Sequence, residues 1–260
     1  MAELEYCTVE QDGNVVLITI NRPEVYNALN PPANTELDTV FDEFAANDDQ
    51  WVAIVTGAGD KAFSAGNDLK YQASGGKMWS APHGFAGLTS RFDLDKPVIA
   101  AVNGVSMGGG FEIALACDLI VAAENAVFAL PEPRVGLAAL AGGLQRLPRQ
   151  IGSKRALGMI LTGRRVAAAE GYELGFVNEV VPEGEAVAGA RRWAEQILEC
   201  SPMSIKASKQ VVRDSLDQAD LVGSMKNGQY PAVIAMQKSE DFVEGPLAFA
   251  EKRSPQWKGR

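Results

Sequence analysis

Short β-rich runs closed by turn residues recur along the chain at 15–20, 51–56 and 97–102. Between the first two, Leu37, Val40, Phe41 and Phe44 fall at helical spacing, which predicts a helix over 34–44. A short apolar helix is expected after Glu112, then brief strands at 119–122 and 127–129 around the Glu124-Asn125 turn. This alternation of strand and helix persists to about residue 180 and implies a mainly parallel, layered α/β core.

The pattern then changes. Residues 185–198, 203–216 and 232–249 read as amphipathic helix, and strand signals stop. Glu199-Cys200-Ser201-Pro202 ends one helix and starts the next. The chain therefore divides into a core over 1–199 and a helical segment over 200–260, whose apolar stripes need the core or another subunit as partner. Residues 72–92, with Gly75, Gly76, Pro82 and Gly84, read as a loose loop or lid.

A formal net charge of −9 argues against nucleic acid or an anionic membrane as the main partner. No stretch approaches the ~18–20 apolar residues of a membrane span. The N-terminus has neither the basic patch nor the apolar run of a signal peptide. Cys7, Cys117 and Cys200 lack metal or redox spacing, as expected of reduced thiols in a cytoplasmic protein.

Two motifs mislead. Gly104-Val105-Ser106-Met107-Gly108 matches a nucleophile elbow, but that triad needs a histidine after the serine and His83 precedes it. Gly57-Ala58-Gly59-Asp60-Lys61-Ala62 matches a loose dinucleotide pattern, yet another glycine turn follows where a helix should begin.

The chemistry-bearing pieces lie elsewhere: Phe63-Ser64-Ala65-Gly66-Asn67-Asp68-Leu69, Gly108-Gly109-Gly110-Phe111-Glu112 and Leu130-Pro131-Glu132. Glycines allow close backbone approach and expose N–H groups. A helix starting at the glycines puts Gly109 and Glu112 on one face. Glu132 among Phe128, Leu130 and Val135 should have a raised pKa. Taken alone, the glycines also fit simple packing, and the glutamates fit caps or salt bridges.

These strings resemble the crotonase (enoyl-CoA hydratase/isomerase) superfamily, together with residues 21–29, Gly142-Gly143-Leu144-Gln145-Arg146-Leu147-Pro148, residues 161–165 and residues 244–253. The resemblance spans nearly the whole chain and implies a spiral of β-β-α units followed by a helical oligomerisation segment. It implies an oxyanion hole at the backbone N–H groups of Asn67 and Gly109, and catalytic glutamates at Glu112 and Glu132. The family usually carries a small apolar residue where Asn67 stands. Coenzyme A, as part of the substrate, is expected near Glu24, Val25, Ala65 and Lys70, and near Phe249 and Lys252 of the tail. Glu24 stands where a basic residue is common. The resemblance further implies a homotrimer or dimer of trimers, with no metal and no permanently bound cofactor. The expected reaction is hydration of a 2-enoyl-CoA. Residues 128–136, 161–166 and the tail are similar to bacterial members that include carnitinyl-CoA dehydratases, so a non-fatty acyl group is the alternative. Isomerisation or thioester hydrolysis rank behind it.

Overall fold

The computed structural model describes residues 4–77, 79, 81–218, 220–227 and 230–260. It divides into two compact units: one made of the residues up to Phe92 with Val98–Trp193, the other of Asp93–Pro97 with Ala194–Arg260.

The first unit is built on two sheets. Strands β1 (Cys7–Asp12), β2 (Val15–Ile20), β3 (Val52–Gly57), β5 (Val98–Val102), β7 (Leu119–Ala123) and β10 (Glu179–Val181) form the larger, in the order β1-β2-β3-β5-β7-β10. Only β1 runs antiparallel to its neighbour; the rest pair in parallel. Every residue of β3 and β5 is buried, as expected of parallel strands covered on both faces. The smaller sheet has the order β4-β6-β8-β9, from β4 (Ala62–Ser64), β6 (Val105–Met107), β8 (Val127–Ala129) and β9 (Val166–Ala167). Its first three strands are parallel, so their C-terminal ends lie on one edge. That edge carries the candidate site.

The expected helix over 34–44 is α1 (Pro31–Ala46), extended by Asn30, whose side chain caps it by accepting from Ala33 N at 3.0 Å. Then come α2 (Leu69–Ala73), α3 (Gly109–Ala116), α4 (Gly143–Ile151), α5 (Ser153–Thr162) and α6 (Ala168–Leu174), and α7 (Ala186–Leu198) starts in this unit. Phe111, Phe128 and Phe176 pack with ring centroids 5.1–5.2 Å apart behind α3 and β8. The Gly57–Ala62 stretch is a turn between β3 and β4, with no helix after it.

The second unit contains α8 (Pro202–Ser215), α9 (Leu221–Asn227), α10 (Pro231–Lys238) and α11 (Glu240–Glu251). The single helix expected over 232–249 is two, because the Ser239 hydroxyl accepts from Phe242 N at 3.1 Å and starts a new helix. Within the unit, Arg213 pairs with Asp95 at 2.9 Å. Buried Asp241 accepts from Ser201 Oγ at 2.8 Å and Lys258 N at 2.7 Å, tying the C-terminal residues to α11. Among the described residues no helix is long and apolar enough to cross a membrane.

Candidate active site

The three stretches singled out in the sequence leave the C-terminal ends of β4, β6 and β8, and the parallel pairing of those strands sets them side by side. Gly66 makes the closest approach. At its φ of +84°, an added Cβ would lie 2.6 Å from Met107 O and 2.7 Å from Gly109 N, so only glycine lets the two turns touch. This brings Asn67 beside Gly109. In the parallel bridge between Leu29 and Asn67, the bonds run from Leu29 N to Gly66 O (2.7 Å) and from Asp68 N to Leu29 O (3.0 Å). The N–H of Asn67 itself is left unused. Gly109 is the first residue of α3, where a backbone N–H has no partner within the helix. Neither N–H has an acceptor among the described residues.

Each glycine of the 108–110 run has its own neighbour. A Cβ on Gly108 would meet Glu132 Oε1 at 2.9 Å, one on Gly109 the Phe85 ring at 2.5 Å, and one on Gly110 the Ser64 carbonyl oxygen at 2.0 Å. Glu132 and Phe85 thus pack directly on the turn that presents the Gly109 N–H.

Glu112 sits in the first turn of α3 and is 3% exposed. Its Oε1 accepts from Gly143 N, the first residue of α4, at 2.9 Å. Burial pushes its pKa up to about 7, and the nearby Glu132 charge adds to the rise; the N–H groups of Gly143 and Ala141 and the Arg146 guanidinium work against it. Glu132 opens a 3-10 turn (Glu132–Val135) just beyond β8, and its pKa is also raised by burial. Its Oε2 is buried with no partner among the described residues. Two carboxyls whose pKa values are raised by burial therefore flank two unused N–H donors. Such an arrangement can move a proton to and from a substrate while stabilising negative charge on an oxygen.

The surrounding loops are held by buried polar anchors. Asn27, fully buried, donates to Ala62 O at 2.7 Å and Ala58 O at 3.0 Å, locking the 22–29 loop onto β4. Arg22 pairs with Asp68 at 3.1 Å, and Asp68 caps α2 by accepting from Tyr71 N at 3.0 Å. The expected lid is partly a fixed wall. Arg91 reaches Asp38 at 3.0 Å and Asp42 at 2.7 Å, while Asn34 Oδ1 accepts from Ala86 N at 2.6 Å. Met78 and Ser80 of that segment lie outside the described residues. His83 Nδ1 lies 2.9 Å from Asp38 Oδ1. Asp38, Asp42 and His83 could in number hold a metal ion, but Arg91 already supplies the positive charge to both carboxylates. Ser106 is fully buried within β6, and the sole histidine is engaged with Asp38, so no nucleophile–base pair forms.

Of the residues expected to meet coenzyme A, Glu24 and Val25 lie in a 3-10 turn (Pro23–Val25), Glu24 exposed. Ala65 N donates to Tyr26 O at 2.9 Å, which places Ala65 beside that turn, and Lys70 is exposed on α2. Phe249 and Lys252 belong to the second unit, the former exposed and the latter a left-handed cap on α11. Gly143 and Phe85 join the site from outside the three sequence stretches. The glycine pair at 142–143 is the sequence signal of the former; an isolated Phe85 carries none.

The sequence model described as enoyl-CoA hydratase/isomerase matches residues 10–260. The chain belongs to that family, the crotonase superfamily. A carnitinyl-CoA dehydratase of Escherichia coli O157:H7 is 45% identical over 257 residues, covering 96% of this chain and 97% of the relative. The crystal structure of an enoyl-CoA hydratase from Mycobacterium tuberculosis H37Rv superposes with a TM-score of 0.92 at 37% identity, covering 98% of this chain and 99% of the other. That of a carnitinyl-CoA hydratase from Mycobacterium avium gives a TM-score of 0.77 at 43% identity, covering 99% and 100%. As a crotonase-superfamily member, this protein carries hydratase/dehydratase-type chemistry on an acyl-CoA substrate.

Proposed function

We propose that this crotonase is a hydro-lyase that interconverts a 3-hydroxyacyl-CoA and its 2-enoyl-CoA, with a polar, carnitinyl-type acyl group. The observation that carries the reaction type is the pairing of Glu112 and Glu132 around the unused Asn67 and Gly109 N–H groups. The acyl class is favoured by the similarity to carnitinyl-CoA dehydratases and hydratases. Hydration of fatty 2-enoyl-CoA is the second reading, favoured by the fit to the mycobacterial enoyl-CoA hydratase.

In the hydration direction, the Glu112 carboxylate removes a proton from water as the hydroxyl adds to Cβ. Charge collects on the thioester oxygen as an enolate, held by the N–H groups of Asn67 and Gly109. Loss of one such donor costs about 3–4 kcal/mol in the barrier. The protonated Glu132 then delivers its proton to Cα. Dehydration runs the same steps backwards, with a proton returned to Glu132 and water released from Glu112. A carboxyl with a pKa near 7 supplies both protonation states at neutral pH, which is what a reversible step needs. For coenzyme A, we assign the Glu24–Val25 turn, Ala65 and Lys70, with Phe249 and Lys252 from the tail. Exposed Val243, Leu247 and Phe249 on α11 support assembly of several copies as a trimer or dimer of trimers.

The test is a panel of 2-enoyl-CoA thioesters, from crotonyl to long chain and including crotonobetainyl, incubated in ¹⁸O water and read by mass spectrometry. Preferred labelling of the betaine substrate supports the first reading, and of fatty chains the second. Free CoA in place of a labelled hydroxyacyl-CoA overturns both.

A further inference from the structure

One half-buried cation at this site has no part in the proposed reaction. Arg146, in the second turn of α4, makes contacts in two directions. Toward the wall, its Nη2 donates to Thr89 O at 2.8 Å, and its guanidinium lies 5.8 Å from the centre of the Phe92 ring. The Thr89 hydroxyl in turn accepts from Phe85 N at 2.8 Å, and Phe85 is the ring packed on Gly109. Toward the helix start, Arg146 N donates to Gly142 O at 2.8 Å, and Nη1 lies so close under Gly142 that a Cβ there would be 2.0 Å away. Gly142 holds a φ of +103°, which turns the chain so that the next residue, Gly143, aims its N–H at Glu112.

We propose that Arg146 is the positioning residue for Glu112: it clamps the Gly142–Gly143 turn to the 85–92 wall and sets a fixed positive charge beside the carboxylate. The groups facing Glu112 are Glu132, the N–H groups of Gly143 and Ala141, and Arg146; Arg146 in turn faces Glu112 and Cys117. Of the side chains among them, only Arg146 favours the ionised form of Glu112. Without it, burial and Glu132 are opposed by backbone N–H groups alone, and Glu112 holds its proton to higher pH.

The inference rests on the reading of Glu112 as an acid–base group, and its test separates the two. Glu112 is titrated directly by infrared difference spectroscopy, each protein against its own Glu112→Gln counterpart, in the full-length wild type and in Arg146→Met, Arg146→Gln and Arg146→Lys. Arg146→Met and Arg146→Gln should move the Glu112 midpoint up by about one pH unit or more, while Arg146→Lys, which keeps the charge, moves it less. Arg146→Gln keeps a donor for the Thr89 carbonyl, so it decides the matter should Arg146→Met not fold. The acid limb of the hydration pH–rate profile should follow the same order. A Glu112 midpoint in Arg146→Gln equal to that of the wild type overturns the proposal. A wild type that hydrates none of the thioester panel overturns the functional reading instead, and the titration still reads the role of Arg146.

Discussion

Replacing Glu112 by glutamine should stabilise the protein, and only above mildly acidic pH. The carboxyl is 3% exposed and its pKa in the folded protein is about 7, against an ordinary value of 4.5. Between those values the folded state holds a proton that the unfolded state has lost. Stability of the wild type therefore falls as pH rises through this window and levels off above the folded pKa. The gap between 4.5 and about 7 corresponds to about 3 kcal/mol at pH ~8, and to under about 1 kcal/mol at pH ~5, where wild type and variant are both largely neutral at this site when folded. Glutamine is neutral throughout, matches the shape, and can still accept from Gly143 N. The assay is urea unfolding of wild type and Glu112→Gln at both pH values, at one fixed protein concentration because assembly would add to apparent stability. The variant should gain about 2–3 kcal/mol over wild type on going from the lower to the higher pH. An advantage that does not grow with pH would refute the claim that burial of the charge dominates this site.

Other expectations bear on the chemistry and the scaffold. Glu132→Gln should lower hydration turnover by about 10²–10⁴-fold with affinity for CoA largely retained, measured by steady-state kinetics and calorimetry. Gly66→Ala should cost about 10²–10³-fold in turnover, because its Cβ would meet the backbone at Met107 O and Gly109 N and spread the two donors apart; near-normal kcat would argue against the Asn67–Gly109 pair. Asn67→Ala keeps the backbone donor and should hold kcat within a factor of about three, so any larger loss assigns work to the side chain. Arg91→Met leaves Asp38 buried without its guanidinium and should cost about 3–5 kcal/mol in urea unfolding.

Where burial is periodic and the run is apolar, the fold was open to reading. Val15–Ile20 and Val127–Ala129 coincide with the strands observed, and the glycines at 108–110 do open a helix that carries Glu112. The edge strand Cys7–Asp12 escaped because its residues are mostly exposed and polar, and its start is fixed by a distant partner: Glu36 accepts from Tyr6 N and Cys7 N at 2.7 and 2.9 Å. Strands as short as Ala62–Ser64 and Val105–Met107 have no period to detect. Yet it is their parallel pairing that assembles the three site segments.

The glutamates show where residue type stops being informative. Glu112 and Glu132 are the same amino acid near the same glycine turn, and their difference comes from groups far along the chain. Glu112 is held by the N–H of a residue 31 positions away, a donor that belongs to the backbone and that the sequence marks only by a pair of glycines. Glu132 keeps one buried oxygen without a partner. The N–H groups of Gly143 and Ala141 oppose the burial that raises the Glu112 pKa, and the backbone N–H of Glu132 opposes the burial that raises its own. In the proposed division of labour, with Glu112 as the base toward water and Glu132 as the acid toward Cα, the carboxylate form of Glu112 is favoured by the N–H that the Gly142–Gly143 turn aims at it.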